Sequence, residues 1–405
     1  MKYVNSLKYM NSFPSANGEG ISLSRTAELC GLLGRVNLGT NSIFVPGGAS
    51  GHATAVMLES VIKAAGYRVG RISTAEGFDS RSIVSLDGKI ASIDDYNRGV
   101  AELKSTVLKT ESAEYKSEEV CFALALLLCK LHDANYVILE GMSETGCDLS
   151  GLCSPYDIVV APPIVADQDD TVKVVCDAIK HGVREVVSGN QKKQIYDSIS
   201  NACVSTGVRM TVTTKQSFKI ESGSSIKLSF SYGERTGYSV RTPSFIQREC
   251  AMLVIESALA IRRSGVKLPW AAISTGLAGA TGTGCFETFS ASPIAVIDTA
   301  QTQYEAEQMV LTFNEVFGKE KGTEISVCIP ESAKELVKLL DGRNVKKYVV
   351  LSMSESITAD EDTVICDTVK KCADEVFAMM RRGEDVLCFG SLGFALALRG
   401  ELVKK

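Results

Sequence analysis

The sequence predicts an α/β protein of two domains, a mainly parallel sheet domain followed by a smaller Rossmann-like domain. Before residue 270, β-branched runs such as "SIFVPGG" and "YDIVVAPP" alternate with amphipathic patterns such as "DDTVKVVCDAIKHG". Such alternation is typical of a parallel sheet with helices on both faces. A second series of the same kind runs from "PIAVIDTA" to "DVLCFGSLGFALALRGEL". We therefore place the domains at residues 1–270 and 271–405.

Two stretches interrupt the alternation. Residues 210–241, "MTVTTKQSFKIESGSSIKLSFSYGERTGYSVR", are short strand patterns with Gly and Ser turns, which predict a small antiparallel segment within the first domain. The glycine-rich stretch "LPWAAISTGLAGATGTGCFETF" comes after a long helical pattern. Its glycines could bind phosphate. Because it does not lie between a strand and a helix, we interpret it instead as a hinge between the domains.

The composition is that of a globular protein. The chain has 405 residues, of which 45% are hydrophobic and 22% charged, and its net charge is −5. No basic surface for nucleic acid is therefore expected. No apolar run reaches the roughly 18 residues of a membrane span, and the first residues lack the apolar core of a signal peptide. The 13 cysteines lie mostly in apolar runs, so we expect a cytoplasmic protein with reduced core thiols.

The stretch "SIFVPGGASGHATAVML" has the outline of a phosphate-binding loop. Such a loop holds phosphate with backbone N–H groups, a lysine and a helix dipole, and a Ser/Thr hydroxyl reaches Mg²⁺. The candidate nucleotide-binding residues are Gly47, Gly48, Gly51, His52 and Thr54. None is a lysine, and His52 is too short and too weakly cationic to replace one. We therefore interpret the loop as a vestige that joins strand to helix.

The order of these motifs resembles folylpolyglutamate synthase and dihydrofolate synthase, which are members of the Mur ligase superfamily. The resemblance extends over nearly the whole chain, through "LSRTAELCGLLGRVN", "AVMLESVIKAAGYRVGRIST", "FDSRSIVSLDGKIASIDDYNRGVAEL" and "DVLCFGSLGFALALR". It implies a P-loop ATPase-like domain followed by a smaller Rossmann-like domain. It also implies an ATP-dependent ligase, in which ATP phosphorylates a carboxylate and an amine then displaces the phosphate.

The resemblance also implies positions for the groups that hold nucleotide and metal. Gly51 stands at the loop lysine in one register, and His52 stands there in the register shifted by one. Glu140, at the end of "VILEG", and Thr74, at the position of a family serine, are the implied metal ligands. Asp298 is retained from the motif of the C-terminal domain.

Most of the family's charged catalytic groups have no counterpart in this chain. Val175 stands at the carboxylated lysine, Cys285 at the linker arginine and Gln301 at the C-terminal histidine. Phosphoryl transfer depends on positioned cations and metal. The sequence therefore predicts a pseudoenzyme with no catalytic residue and no cofactor, which binds a partner protein such as a ligase or synthase, a second copy of itself, or a small anionic ligand.

Two alternatives remain open. The first is an active ATP-dependent carboxylate–amine ligase with a rearranged site, which would use ATP and Mg²⁺. The second is a structural subunit of a larger assembly. Neither nucleic acid nor a membrane is expected as a partner.

Overall fold

The computed structural model describes residues 2–16, 20–73, 81–109, 114–141, 149–164, 169–318, 324–340, 343–352 and 361–404. The chain forms two compact units. The first comprises Met1–Lys215 and Cys250–Leu277, and the second comprises Gln216–Glu249 and Ala278–Lys405. Among the described residues, no helix is both long and apolar enough to cross a membrane.

An eight-stranded sheet forms the centre of the first unit. Its strands are β1 (Asn41–Pro46), β2 (Val69–Ile72), β3 (Val84–Leu86), β4 (Lys89–Ile90), β5 (Tyr136–Gly141), β6 (Tyr156–Ala161), β7 (Val183–Ser188) and β8 (Arg209–Val212). Their spatial order is β4-β3-β2-β5-β1-β6-β7-β8. All neighbours pair in parallel except β2 with β3 and β3 with β4, which are antiparallel. The predicted mainly parallel sheet is thus confirmed.

Helices cover this sheet. They are α1 (Tyr3–Met10), α2 (Leu23–Leu32), α3 (Ala49–Ala64), α4 (Ile93–Val107), α5 (Ser117–Leu131), α6 (Asp169–Lys180), α7 (Lys193–Thr206), α8 (Phe245–Arg263) and α9 (Trp270–Gly279). The first residues of α8 and the last residues of α9 belong to the second unit. Helix α5 is apolar on nearly all sides, and its middle is buried throughout. A helix with that pattern belongs to the interior.

Helix α9 occupies the first part of the glycine-rich stretch, which the sequence predicts to be a hinge, and the boundary between the two units falls within this stretch. Residues 270–279 are helical, and Ile273 and Leu277 are buried. Gly276 packs so closely on α3 that an added Cβ would lie 2.4 Å from Val61 Cα. This glycine therefore serves close helix packing rather than chain flexibility.

Two sheets form the second unit. The smaller is antiparallel and contains β9 (Phe218–Ser224), β10 (Lys227–Tyr232) and β11 (Arg235–Val240). The larger contains β12 (Glu287–Ala291), β13 (Ile294–Ile297), β14 (Glu324–Pro330), β15 (Asn344–Leu351), β16 (Thr363–Cys366) and β17 (Val386–Cys388), in the order β12-β13-β17-β14-β15-β16. Only the β12–β13 pair is antiparallel. Its helices are α10 (Gln303–Phe317), α11 (Val369–Arg381) and α12 (Leu392–Val403).

The structure of residues 210–241 differs in two ways from the antiparallel segment that the sequence predicts. Strand β8, which overlaps the start of residues 210–241, pairs in parallel with β7 in the large sheet, where Thr211 Oγ1 donates to Glu185 Oε1 at 2.9 Å. The remaining strands pack with the second unit, because Thr288 Oγ1 donates to Ser225 O at 2.8 Å. The compact units are therefore not continuous in sequence. A family domain boundary at residue 270 stays a prediction.

Candidate functional site

The loop between β1 and α3 is shorter than its sequence outline indicates. Only Gly47 and Gly48 separate the strand from the helix, and Gly48 caps the helix with a φ of 94°, in the left-handed region that favours glycine. The first helical hydrogen bond runs from His52 N to Gly48 O at 2.8 Å. The predicted anion-binding residues Gly51, His52 and Thr54 therefore lie within the helix rather than in an open loop.

Gly51 has no room for a side chain. A Cβ there would lie 1.8 Å from Pro46 O, at the end of β1. Gly47 is equally confined, since its Cβ would lie 2.7 Å from Gly141 O. In the register that aligns Gly51 with the family's lysine, a lysine could not be accommodated without moving the backbone. These two glycines allow close backbone packing.

Thr54 and His52 direct their polar atoms into the protein. Thr54 is fully buried, and its Oγ1 donates to Ser50 O at 2.7 Å, one turn earlier in its own helix. His52 is also buried, and its Nδ1 lies 3.1 Å from Glu140 Oε2. The structure thus brings together two of the predicted site residues, His52 and Glu140, in contact with each other.

Glu140 lies at the end of β5 beside the polar side chains of β2. In the parallel pairing, Arg71 is opposite Ile138, and alternate residues of a strand share a face. Arg71 and Ser73 therefore face the same side of the sheet as Glu140. Arg71 Nη1 donates to Glu140 Oε1 at 2.5 Å, and Ser73 Oγ donates to Glu140 Oε2 at 2.6 Å.

Arg71 also binds a second buried carboxylate. Its Nε donates to Glu59 Oε2 at 2.8 Å. Glu59 Oε1 accepts in addition from Ser85 Oγ at 2.7 Å and from Gly88 N at 2.8 Å. We refer to His52, Glu59, Arg71, Ser73 and Glu140 as the buried charge cluster. Its guanidinium lies between two carboxylates, and each carboxylate is further satisfied by other donors.

The charges of the cluster stabilise one another. Burial raises the pKa of Glu140, but the charges and hydrogen bonds of His52 and Arg71, with Ser73, outweigh burial and lower this pKa to about 2. Burial lowers the pKa of Arg71, and the two carboxylates more than compensate by raising it above its ordinary value. Glu140 and Arg71 are therefore both ionised at neutral pH and form an internal ion pair.

These residues do not fit the magnesium site that the resemblance implies. Both oxygens of Glu140 accept hydrogen bonds, and a divalent cation would have to displace the guanidinium of Arg71 or lie against it. Thr74, the other implied ligand, lies outside the described residues. Within those that are described, no group of three or more His, Cys, Asp or Glu side chains is arranged to hold a metal ion.

Asp298, at the predicted C-terminal motif position, is committed to the backbone around it. Its Oδ2 accepts from Phe286 N at 2.8 Å and its Oδ1 from Ala300 N at 2.7 Å. Phe286 has a φ of 52°, an uncommon value for this residue. Burial raises the pKa of Asp298 to about 7, and Glu305 contributes to the rise. The carboxylate thus anchors a turn within the second unit.

Two further positions from the resemblance are core positions. Val175 and Cys285, which stand at the carboxylated lysine and the linker arginine, are both fully buried. A long charged side chain at either place would need a partner that an apolar core does not provide.

Sequence reasoning missed Arg71 and Glu59. Each is a charged residue within an apolar pattern, in "YRVGRIST" and "AVMLESVIKAA". A charge on the buried face of a strand or helix requires a partner of opposite sign. The sequence could therefore have predicted that Arg71 and Glu59 form a pair.

Comparison with known proteins identifies structural but not sequence relatives. No model of a known protein family matches the chain, and no curated protein sequence matches it. Folylpolyglutamate synthetase from Lactobacillus casei superposes with a TM-score of 0.79 at 17% identity, over 100% of both chains. The Thermotoga maritima folylpolyglutamate synthase gives 0.77 at 18% identity, over 99% of this chain and 96% of that one.

The Mycobacterium tuberculosis folylpolyglutamate synthase, solved in complexes with ADP and AMPPCP, gives a TM-score of 0.76 at 16% identity, over 99% of this chain and 98% of that one. At these identities the likeness concerns the fold, and it extends over the whole length of the chain. The fold that the sequence predicts is therefore confirmed: this protein has the α/β fold of the folylpolyglutamate synthases, the Mur ligase fold.

Proposed function

We propose that this protein is a catalytically degenerate homologue of the folylpolyglutamate synthases that acts by binding rather than by forming an amide. The observation that carries the proposal is the ion pair between Glu140 and Arg71. A carboxylate at the position of a metal ligand is neutralised here by a side chain of the same protein. A fold alone does not fix a function, so the proposal rests on these side chains.

The loop supports the same conclusion. Phosphoryl transfer needs a cation that spans the phosphates and a metal that offsets the charge developing on them. Gly51 has no space for such a cation, and His52 is turned toward Glu140. Losing a positioned cationic contact commonly costs orders of magnitude in rate. In this proposal the protein requires neither ATP nor Mg²⁺.

Binding, in this proposal, is to a partner protein such as a ligase or synthase, to a second copy of the chain or to a small anionic ligand. An active ATP-dependent carboxylate–amine ligase is the alternative. It would require Arg71 to leave Glu140, or a cation and a metal site built from other residues.

An ATP-turnover assay tests the proposal. Phosphate release from Mg·ATP is measured with glutamate and a set of folate and other carboxylate substrates, with an active folylpolyglutamate synthase as the positive control. We expect release no faster than without protein. ATP-dependent ligation that repeats between preparations and is abolished in Glu140→Gln would overturn the proposal, because it would show that Glu140 serves a working site.

A further inference from the structure

A cavity of about 540 Å³ lies within the second unit. It is formed by residues of β10 and β11, by the segment that follows α9 and by Arg399 of α12. None of the predicted site residues that the structure describes lines it. Its volume is within the range of small-molecule sites.

The charged side chains that line the cavity are mainly cationic. They are Lys227, Arg241 and Arg399, and Glu287 is the one carboxylate among the described residues of the lining. The whole chain, by contrast, has a net charge of −5. The cavity is therefore a local concentration of positive charge on an acidic protein, which attracts anions.

Glu287 forms an ion pair with Arg399 and cancels one of the three positive charges, so these four side chains keep a net charge of about +2. Its Oε2 accepts from Arg399 Nε at 2.5 Å. Its Oε1 accepts from Gly282 N at 3.1 Å and from Gly284 N at 3.2 Å. Gly282 and Gly284 have φ values of 81° and 69°, which glycine adopts readily. Glu287 thus shapes the glycine turn and fixes the direction of Arg399.

The cationic groups keep donors for a ligand. Within the described residues, the terminal nitrogens of Arg399 and the Nζ of Lys227 donate no hydrogen bond, and Arg241 uses only its Nε, toward Ala278 O at 3.3 Å. Thr283 is buried in the lining, and its Oγ1 accepts from Gln247 Nε2. Because that oxygen is the acceptor, the hydroxyl proton of Thr283 is left to donate.

We infer that this cavity binds a small organic dianion, either a dicarboxylate or a phosphate ester. Guanidinium groups pair with carboxylate and phosphate oxygens in a planar fork. Two arginines and a lysine, less the charge of Glu287, leave two net positive charges around the cavity, which suit a dianion better than a monovalent ion. The inference names a ligand class for the binding role proposed above, and it rests on that role for its biological meaning.

Calorimetric titration of the full-length protein tests the inference. Glycerol 3-phosphate and succinate are the two probes, and each is titrated at low and at high KCl. We expect saturable binding of at least one probe, weakened by added salt. Lys227→Gln combined with Arg241→Gln is expected to raise its Kd about tenfold or more. Lys219→Gln removes the same charge from an exposed site on β9, outside the cavity, and is expected to leave the Kd unchanged.

The two probes distinguish the sources of the charge. Binding of glycerol 3-phosphate alone indicates a phosphate ester, binding of succinate alone indicates a dicarboxylate, and binding of both indicates recognition by charge. Absence of saturable binding at millimolar concentrations overturns the inference, as does binding that the double variant leaves intact. ATP-dependent ligation in the assay above would overturn the proposed function without affecting this result.

Discussion

Arg71 donates from Nη1 to Glu140 Oε1 at 2.5 Å inside the first unit, and the two side chains are only 13% and 2% exposed. Removing ions from water is costly, and a buried pair is tolerated only when its hydrogen bonds are satisfied. Here Glu59, Ser73 and His52 complete the set. The charge that a metal would bring to Glu140 is thus supplied by the protein itself.

Arg71→Met is expected to destabilise the protein strongly. It leaves Glu59 and Glu140 buried without their cation, and breaking a buried pair in this way typically costs about 3–5 kcal/mol. Arg68→Met is the control, since Arg68 pairs with Asp133 at the surface, where a pair contributes about 0–1 kcal/mol. The free energies of unfolding from urea titration measure both effects. Equal losses in the two variants would contradict a structural role for the cluster.

Gly51→Ala is expected to destabilise the protein by about 1–3 kcal/mol or more, because the new Cβ would overlap Pro46 O and force the backbone to move. Gly31, in the exposed part of α2, has no atom within 4 Å of an added Cβ. Gly31→Ala should therefore be neutral or stabilising by up to about 1 kcal/mol. The same unfolding measurement compares them. A Gly51→Ala protein as stable as the wild type would mean that the loop has room for a side chain.

Glu140 makes the stability depend on acid pH. Because its pKa falls from an ordinary 4.5 to about 2 in the folded state, its contribution is fully present above the unfolded pKa and is lost as the pH drops toward 2. The difference in unfolding free energy between wild type and Glu140→Gln should therefore shrink steadily on acidification below about pH 5. A difference that stays constant over this range would show that the partners of Glu140 do not lower its pKa in the folded protein.

Asp298 makes the stability depend on pH in the opposite direction. Burial raises its pKa from 3.8 to about 7, so its contribution is greatest below the unfolded pKa and is lost as the pH rises toward 7. Relative to Asp298→Asn, the wild type should lose stability between about pH 4 and pH 7. Thermal unfolding of both proteins across this range measures the effect. Parallel curves for the two proteins would contradict the raised pKa.

The sequence predicts the fold well because parallel α/β structure leaves local patterns. The strands β6, β13 and β17 lie within "YDIVVAPP", "PIAVIDTA" and "DVLCFGSLGFALALRGEL", the runs that predict them. Strand β8 was placed in the antiparallel segment because a four-residue β run does not reveal the direction of its partner. Helix α9 was missed because its glycines resemble those of a loop, although Gly276 is required for contact with α3.

The candidate site was less accessible to sequence reasoning. The resemblance implies that Glu140 and the loop residues belong to one site. The contact of Glu140 with Arg71 joins residues 69 positions apart, and it depends on the pairing of β2 with β5. No local pattern encodes that pairing. Glu140 is paired with Arg71 because β2 lies next to β5, and the sequence does not reveal that these two strands are neighbours.

Calorimetric titration with Mg·ATP tests the central claim most directly, because it measures nucleotide binding without requiring catalysis. It is run on the Lys227→Gln, Arg241→Gln double variant, so that the cavity of the second unit does not contribute. This protein should release no binding heat at millimolar nucleotide, and its melting temperature in a parallel thermal scan should not change. Saturable binding in the micromolar range that weakens in His52→Gln would contradict the claim. It would show that the loop still holds phosphate without a lysine.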